Sequence, residues 1–175
     1  MNTPSYKKQS GMALIISLII LISMTILGVA SMQATRTEVS MAGNQREAGL
    51  SFNATEAGLS AAERYIEDSI SKTAYNDPAI GLYDRLETDP DYGDKTVWDA
   101  SQIATTTLPF VTEQPRFIIK YLGDRSQNEV AAVNIGGYGS SQPGKTVSNF
   151  RVTSRGVGQT ANSFRFIQSY YGKEF

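Results

Sequence analysis

Residues Met12 to Met32 read MALIISLIILISMTILGVASM, 21 positions without a charged side chain, directly after a short leader that carries Lys7 and Lys8 and ends in Gly11. A helix rises about 1.5 Å per residue, so a segment of this length reaches roughly 30 Å, the hydrocarbon thickness of a bilayer. No charge occurs between Lys8 and Arg36. By the positive-inside rule the two lysines hold the leader in the cytoplasm and put everything after Arg36 on the outer side.

Three fates fit such a segment. A secretory signal peptide has an apolar core of about 7–15 residues and a small-residue cleavage site, for which Gly28-Val29-Ala30 is the one match here. A plain signal anchor spans the bilayer equally well but has no need of a glycine where charge meets apolar core. Cleavage after Gly11 leaves the apolar core itself as the mature N-terminus. The last arrangement, MNTPSYKKQSG followed by MALIISLII, resembles the class III leader of type IV prepilins.

Composition narrows the function classes. With 175 residues, about 100 of them beyond the first helical region, there is room for one small globular domain. The net charge of −1 gives no electrostatic footprint for nucleic acid. The chain has no Cys, so no disulfide staples it, and no His, which removes the commonest general base and transition-metal ligand. A non-catalytic protein without a cofactor is expected.

No proline interrupts Met12 to Ile70, and beyond Gln33 a mixed pattern at helical spacing follows. Phe52, Leu59 and Ile66 recur every seven residues, with Ala62 and Ile70 on the same face. The spacing predicts one helix continued out of the membrane, residues 12–35 as the transmembrane and assembly part and 36–72 as an amphipathic continuation. Gly28, Gly43, Gly49 and Gly58 lie inside it as points of bending, melting or close helix contact, each costing about 1 kcal/mol relative to Ala. Gly28 stands apart because it falls within the apolar span, where small residues let helices approach.

Residues 73–175 are expected to form the outer-face domain. Ser71 to Pro115 is polar, punctuated by Asp77-Pro78 and Asp89-Pro90, and reads as loop. Four strand-like runs follow: Phe117 to Leu122, Glu129 to Ile135, Asn149 to Arg155 and Ser163 to Tyr171. The fold class is α+β, a long N-terminal helix packed on a four-stranded antiparallel sheet.

Two motifs invite chemistry. Gly139-Ser140-Ser141-Gln142-Pro143-Gly144-Lys145-Thr146 fits the phosphate-loop pattern letter for letter, but a strand pattern follows where the phosphate cradle requires a helix, so a hairpin loop is expected. Asp89, Asp91, Asp94 and Asp99 gather carboxylates around Gly93 as weak calcium candidates, without EF-hand spacing; a solvated acidic loop is the blander alternative. Asn53-Ala54-Thr55 fits the glycosylation sequon but lies mid-helix and carries no weight.

The stretch from Gly11 to Ile66 resembles the N-terminal region of PilX-type minor pilins of type IV pili. The shared elements are the Gly-terminated leader, the LIISLIIL core with TILGV at its outer end, Met41-Ala42-Gly43-Asn44, and EAGLSAAE at Glu56 to Glu63; NFRVTSRGVG and FIQSYYG resemble the closing strands. The resemblance implies a subunit held in the bacterial inner membrane by a single span. Prepilin peptidase would cut it after Gly11, and Met12 would be N-methylated. The implied partners are other minor pilins, the major pilin, a pilus-tip adhesin and the inner-membrane assembly platform, the complex priming filament growth at or near the tip. Major pilins carry Glu at the fifth mature position, which here is Ile16, so pairing with a neighbour's amine inside the apolar core is excluded. This suits a first or tip position. The alternatives are a K-type pseudopilin of type II secretion, a membrane-anchored outer-face binding domain, and a secreted protein cut after Ala30.

Overall fold

The computed structural model describes residues 11–126 and 146–175, which divide into two compact units, 1–45 and 46–175. Helix α1 (Met12–Asp68) runs through the first and into the second. Beyond it come two single 3₁₀ turns at Lys72–Ala74 and Pro78–Ile80, strand β1 (Leu82–Tyr83), helix α2 (Lys95–Ala100), β2 (Gln102–Ile103), β3 (Arg116–Ser126), β4 (Thr146–Val157) and β5 (Phe164–Glu174). Asp77 and Asp94 supply the N-caps of the second turn and of α2, each accepting from the backbone N–H two residues on, as short acidic side chains do at such ends.

Strands β3, β4 and β5 form an antiparallel ladder, with Ile119 opposite Val152 and Val152 opposite Ser169. The sheet as a whole is mixed. Its order is β1-β3-β4-β5, where β1 runs parallel to β3 and β2 pairs antiparallel with β3. The two additions come from the polar segment expected to be loop, whose two-residue strands are too short to leave a period in the sequence. Three of the four expected runs are strands: β3 and β4 extend beyond both expected bounds, and β5 starts one residue later than expected and runs three further; the run Glu129 to Ile135 lies outside the described residues.

The sheet has two differently covered faces. On one, α1 packs over a core of Ala62, Ile66, Tyr75, Leu82, Phe117, Ile119, Phe150 and Val152. The helix face that meets the sheet is the expected stripe only in part: Ala62 and Ile66 are buried and Leu59 packs against the core, but Phe52 is 41% exposed and Ile70, beyond the end of the helix, is 96% exposed. The buried positions are Ser51, Ala54, Thr55, Gly58, Ala62 and Ile66, mostly small, at helical spacing. Small residues win here because the backbones approach too closely for large ones. A Cβ on Gly156 of β4 would lie 2.2 Å from the Thr55 amide nitrogen, and one on Gly58 would lie 2.3 Å from Ser154 Oγ. Ser154 Oγ donates to the Thr55 carbonyl at 2.8 Å, so the contact is hydrogen-bonded as well as tight.

Both ends of the packed helix segment are tied to the last third of the chain. Glu47 accepts from the Gln159 amide at 3.0 Å and the Thr160 amide at 3.3 Å. At the other end Lys173 Nζ donates to the carbonyls of Ile66 and Ser69, each at 2.8 Å, and of Glu67 at 2.5 Å. These carbonyls lie where α1 runs out of intrahelical donors, and a cation there also meets the negative end of the helix dipole.

Candidate assembly helix

Helix α1 begins at Met12, the residue after Gly11, whose φ of +83° lies in the left-handed region that glycine adopts readily. The proposed scissile junction thus coincides with the start of the helix. From Met12 to Met32 every residue is exposed, Ile16 included, and Gly28 has nothing within 4 Å of where a Cβ would stand. This is a helix long and apolar enough to cross a membrane.

Its hydroxyl groups are compatible with lipid. Ser17 donates to the Leu14 carbonyl at 2.9 Å, Ser23 to Ile19 at 2.8 Å and Thr25 to Ile22 at 2.7 Å. Each satisfies its donor within the helix, as a medium without water requires. The surface left outward is therefore mainly apolar side chain, interrupted by the small residues Gly28, Ala30 and Ser31. Such a surface associates with like helices by close packing and with lipid by its apolar character.

The acidic segment lies against a basic face of the sheet. On the sheet face turned away from α1, Arg116, Lys120, Arg151 and Arg155 form a basic row, as alternation along paired strands dictates. Asp89 pairs with Lys120 Nζ at 2.6 Å and with Arg151. Glu113 pairs with Arg155 at 3.0 Å, and Arg116 donates to the carbonyls of Trp98, Asp99 and Ser101. Asp91 accepts from the Gly93 amide at 2.8 Å and Asp94 caps α2. The side chains of Asp89, Asp91 and Asp94 are thus spread over different tasks, while Asp99 takes part through its backbone carbonyl, and among the described residues no three acidic side chains gather as a metal group. Hydrogen bonds from Lys120 first and Arg151 second hold the Asp89 carboxyl below the usual range, and the Thr96 amide does the same for Asp94.

Trp98 on α2 is buried, donates from Nε1 to the Tyr92 carbonyl at 2.9 Å and stacks on Phe166 with ring centres 5.3 Å apart. It anchors the excursion to the basic face of the sheet. A second network sits on the helix side. There Asp124 accepts from Lys72, from Tyr121 Oη at 2.7 Å and from Ser148 Oγ at 2.6 Å, and its pKa is lowered to about 2. A bulge makes this possible: the register shifts between Tyr121 and Gly123, whose φ is +115°. Strict alternation would send Tyr121 and Asp124 to opposite faces; the extra residue returns both to one.

Residues 139–145 of the phosphate-loop-like motif lie outside the described residues, and Thr146 opens a strand, not the helix a phosphate cradle needs. Asn53 is exposed on α1, while Thr55 of the same sequon is buried and bonds to the Ser51 carbonyl at 2.6 Å.

Comparison with known families decides what this helix and sheet belong to. Residues 10–60 match the family described as PilX N-terminal, and residues 48–173 match type IV pilus assembly protein PilX C-term. The chain belongs to the PilX family of type IV pilus assembly proteins. No curated protein and no solved structure matches it significantly. The PilX C-terminal match begins two positions after the compact unit does at Arg46, and it takes in the polar excursion that motif resemblance alone left unassigned. For a PilX-family minor pilin the apolar helix suggests a membrane anchor associated with the pilus, and the family is one of assembly proteins.

Proposed function

We propose that this minor pilin is inserted in the bacterial inner membrane with its globular unit outside the cytoplasm, cut after Gly11 and methylated on Met12. It then enters a small complex with other minor pilins and a tip adhesin that primes filament growth. The observation that carries this reading is the coincidence of three features at one point: Gly11 in a left-handed conformation, the start of α1 at Met12, and an unbroken exposed apolar surface to Met32. Residues 12–35 serve as both anchor and assembly surface, because the same uncharged face is stable only in lipid or among similar helices.

Ile16 in place of a carboxylate supports a first or tip position, where no pairing with a neighbour's terminal amine is needed. The PilX match along most of the chain favours the pilus over the K-type pseudopilin. The test is the intact mass and N-terminal sequence of the protein from cells with and without prepilin peptidase. Loss of the 11-residue leader plus one methyl group, only when the peptidase is present, is expected. An uncut leader in both strains, or a terminus after Ala30, overturns the reading.

A further inference from the structure

A cavity of about 300 Å³ opens on the sheet face away from α1, at the low end of the range for small-molecule sites. Tyr92, Trp98, Phe164 and Phe166 supply aromatic walls. Phe164 and Phe166 are 49% and 42% exposed, and Phe166 is backed by the stacked ring of Trp98, so its ring offers solvent an apolar surface on a rigid support, with the Phe164 ring tilted 60° to it. Three charged groups line the same cavity. Arg155 is bonded to Glu113 at 3.0 Å, and Lys95 Nζ lies 3.7 Å from the other Glu113 oxygen. The second separation exceeds a hydrogen bond, leaving a donor and an acceptor side by side with capacity to spare.

The lining selects among ligand chemistries. A quaternary ammonium would suit an aromatic cage, but the Arg155 guanidinium already lies 5.5 Å from the Phe164 ring centre and repels a second cation. A phosphate meets the Glu113 carboxylate between the two cations. A wholly apolar ligand would strip water from the charged trio without replacing its hydrogen bonds. A neutral polyhydroxylated ring satisfies every part: its C–H face covers the aromatic platform, and adjacent hydroxyls accept from Lys95 while donating to Glu113.

We propose that this cavity binds a neutral hexose ring. The full-length protein in a sugar-free detergent is titrated with glucose, galactose, mannose and N-acetylglucosamine, and with glycerol, choline and inorganic phosphate for comparison. Emission from Trp98, the one Trp in the chain, and calorimetry are followed in parallel. At least one hexose is expected to saturate with a midpoint of roughly millimolar order, and glycerol is not. Lys95→Ala and Phe164→Ala, both at exposed positions, are expected to weaken that binding at least about fivefold, while Arg85→Ala, away from the cavity, leaves it unchanged. The proposal fails if no hexose saturates either signal up to about 100 mM, well above a millimolar midpoint. It fails equally if both cavity variants bind as the parent does, or if choline or phosphate binds more tightly than every hexose. Hexose binding and leader cleavage are read independently.

Discussion

The two faces of the sheet are closed by opposite means. Toward α1 the contact is made of small residues, apolar rings and backbone-directed hydrogen bonds, with Gly156 against Thr55 and Phe150 fully buried. Toward the polar excursion it is made largely of charge, with Lys120 and Arg151 on Asp89 and Arg155 on Glu113, around the buried ring of Trp98. A tightly packed face tolerates no added volume, and salt and pH reach it only at its edge, through the Lys72–Asp124 pair. A face held by partly exposed ion pairs tolerates changes of shape but responds to salt and pH. One sheet therefore carries both behaviours, divided by the alternation of its side chains.

The largest effect is expected on the packed face. Phe150→Ala removes a fully buried ring in contact with Tyr75 and Tyr121 and should cost about 3–5 kcal/mol in denaturant unfolding, enough to threaten folding outright. Gly156→Ala on the same face should cost about 1–3 kcal/mol by overpacking, because its Cβ would meet helix backbone that has no room to retreat. A near-neutral result there would break the contrast between the faces.

On the charged face Asp89→Asn strips the counter-charge from Lys120, whose side chain is 11% exposed. Because Asp89 itself is 47% exposed, the loss should be only about 1–2 kcal/mol. The parent should lose part of this difference in about 1 M salt, where the Debye length falls to about 3 Å; the variant should show less dependence. Equal salt response in both proteins would mean that Asp89 does not hold the excursion.

The smallest effect concerns acid. Asp124 has a folded pKa lowered to about 2, against about 3.9 for an unfolded aspartate. A depressed folded pKa means that stabilisation is complete above the unfolded value and is lost as pH falls through the folded one. Asp124→Asn should therefore flatten the dependence of melting temperature on pH between about 4 and 2, and Asp89, also lowered, should leave a residual slope.

The apolar span and the long helix are legible from Met12 onward because lack of charge over many residues has few structural solutions. Strands β3, β4 and β5 announce themselves by β-branched and aromatic runs. The helix face that meets the sheet is legible only in part: hydrophobic period finds Leu59, Ala62 and Ile66 but also selects Phe52, whereas burial takes in Ser51, Ala54 and Gly58, since packing distance rewards small side chains that a hydropathy pattern ignores. The roles of Asp89 and Asp124 are hidden for another reason. Their partners lie 31 and 52 residues away, at Lys120 and Lys72, and the bulge at Gly123 overturns the alternation by which a face would be assigned. NFRVTSRGVG offered the one available signal, a glycine inside a strand, which often marks close backbone approach.

The bonds that fasten the helix segment join residues far apart in the sequence: Thr55 to Arg165 across 110 positions, Lys173 to Ile66 across 107, and Glu47 to Thr160 across 113. Closures of this length must be made before they are rewarded, so a chain built on them folds slowly for its size. Helix α1 precedes β4 and β5 in the chain, so it is synthesised before the strands that cover its small-residue face. During that interval the stripe from Ser51 to Ile66 stands open, which makes the time between synthesis of the helix and sheet closure the period when this subunit most needs protection.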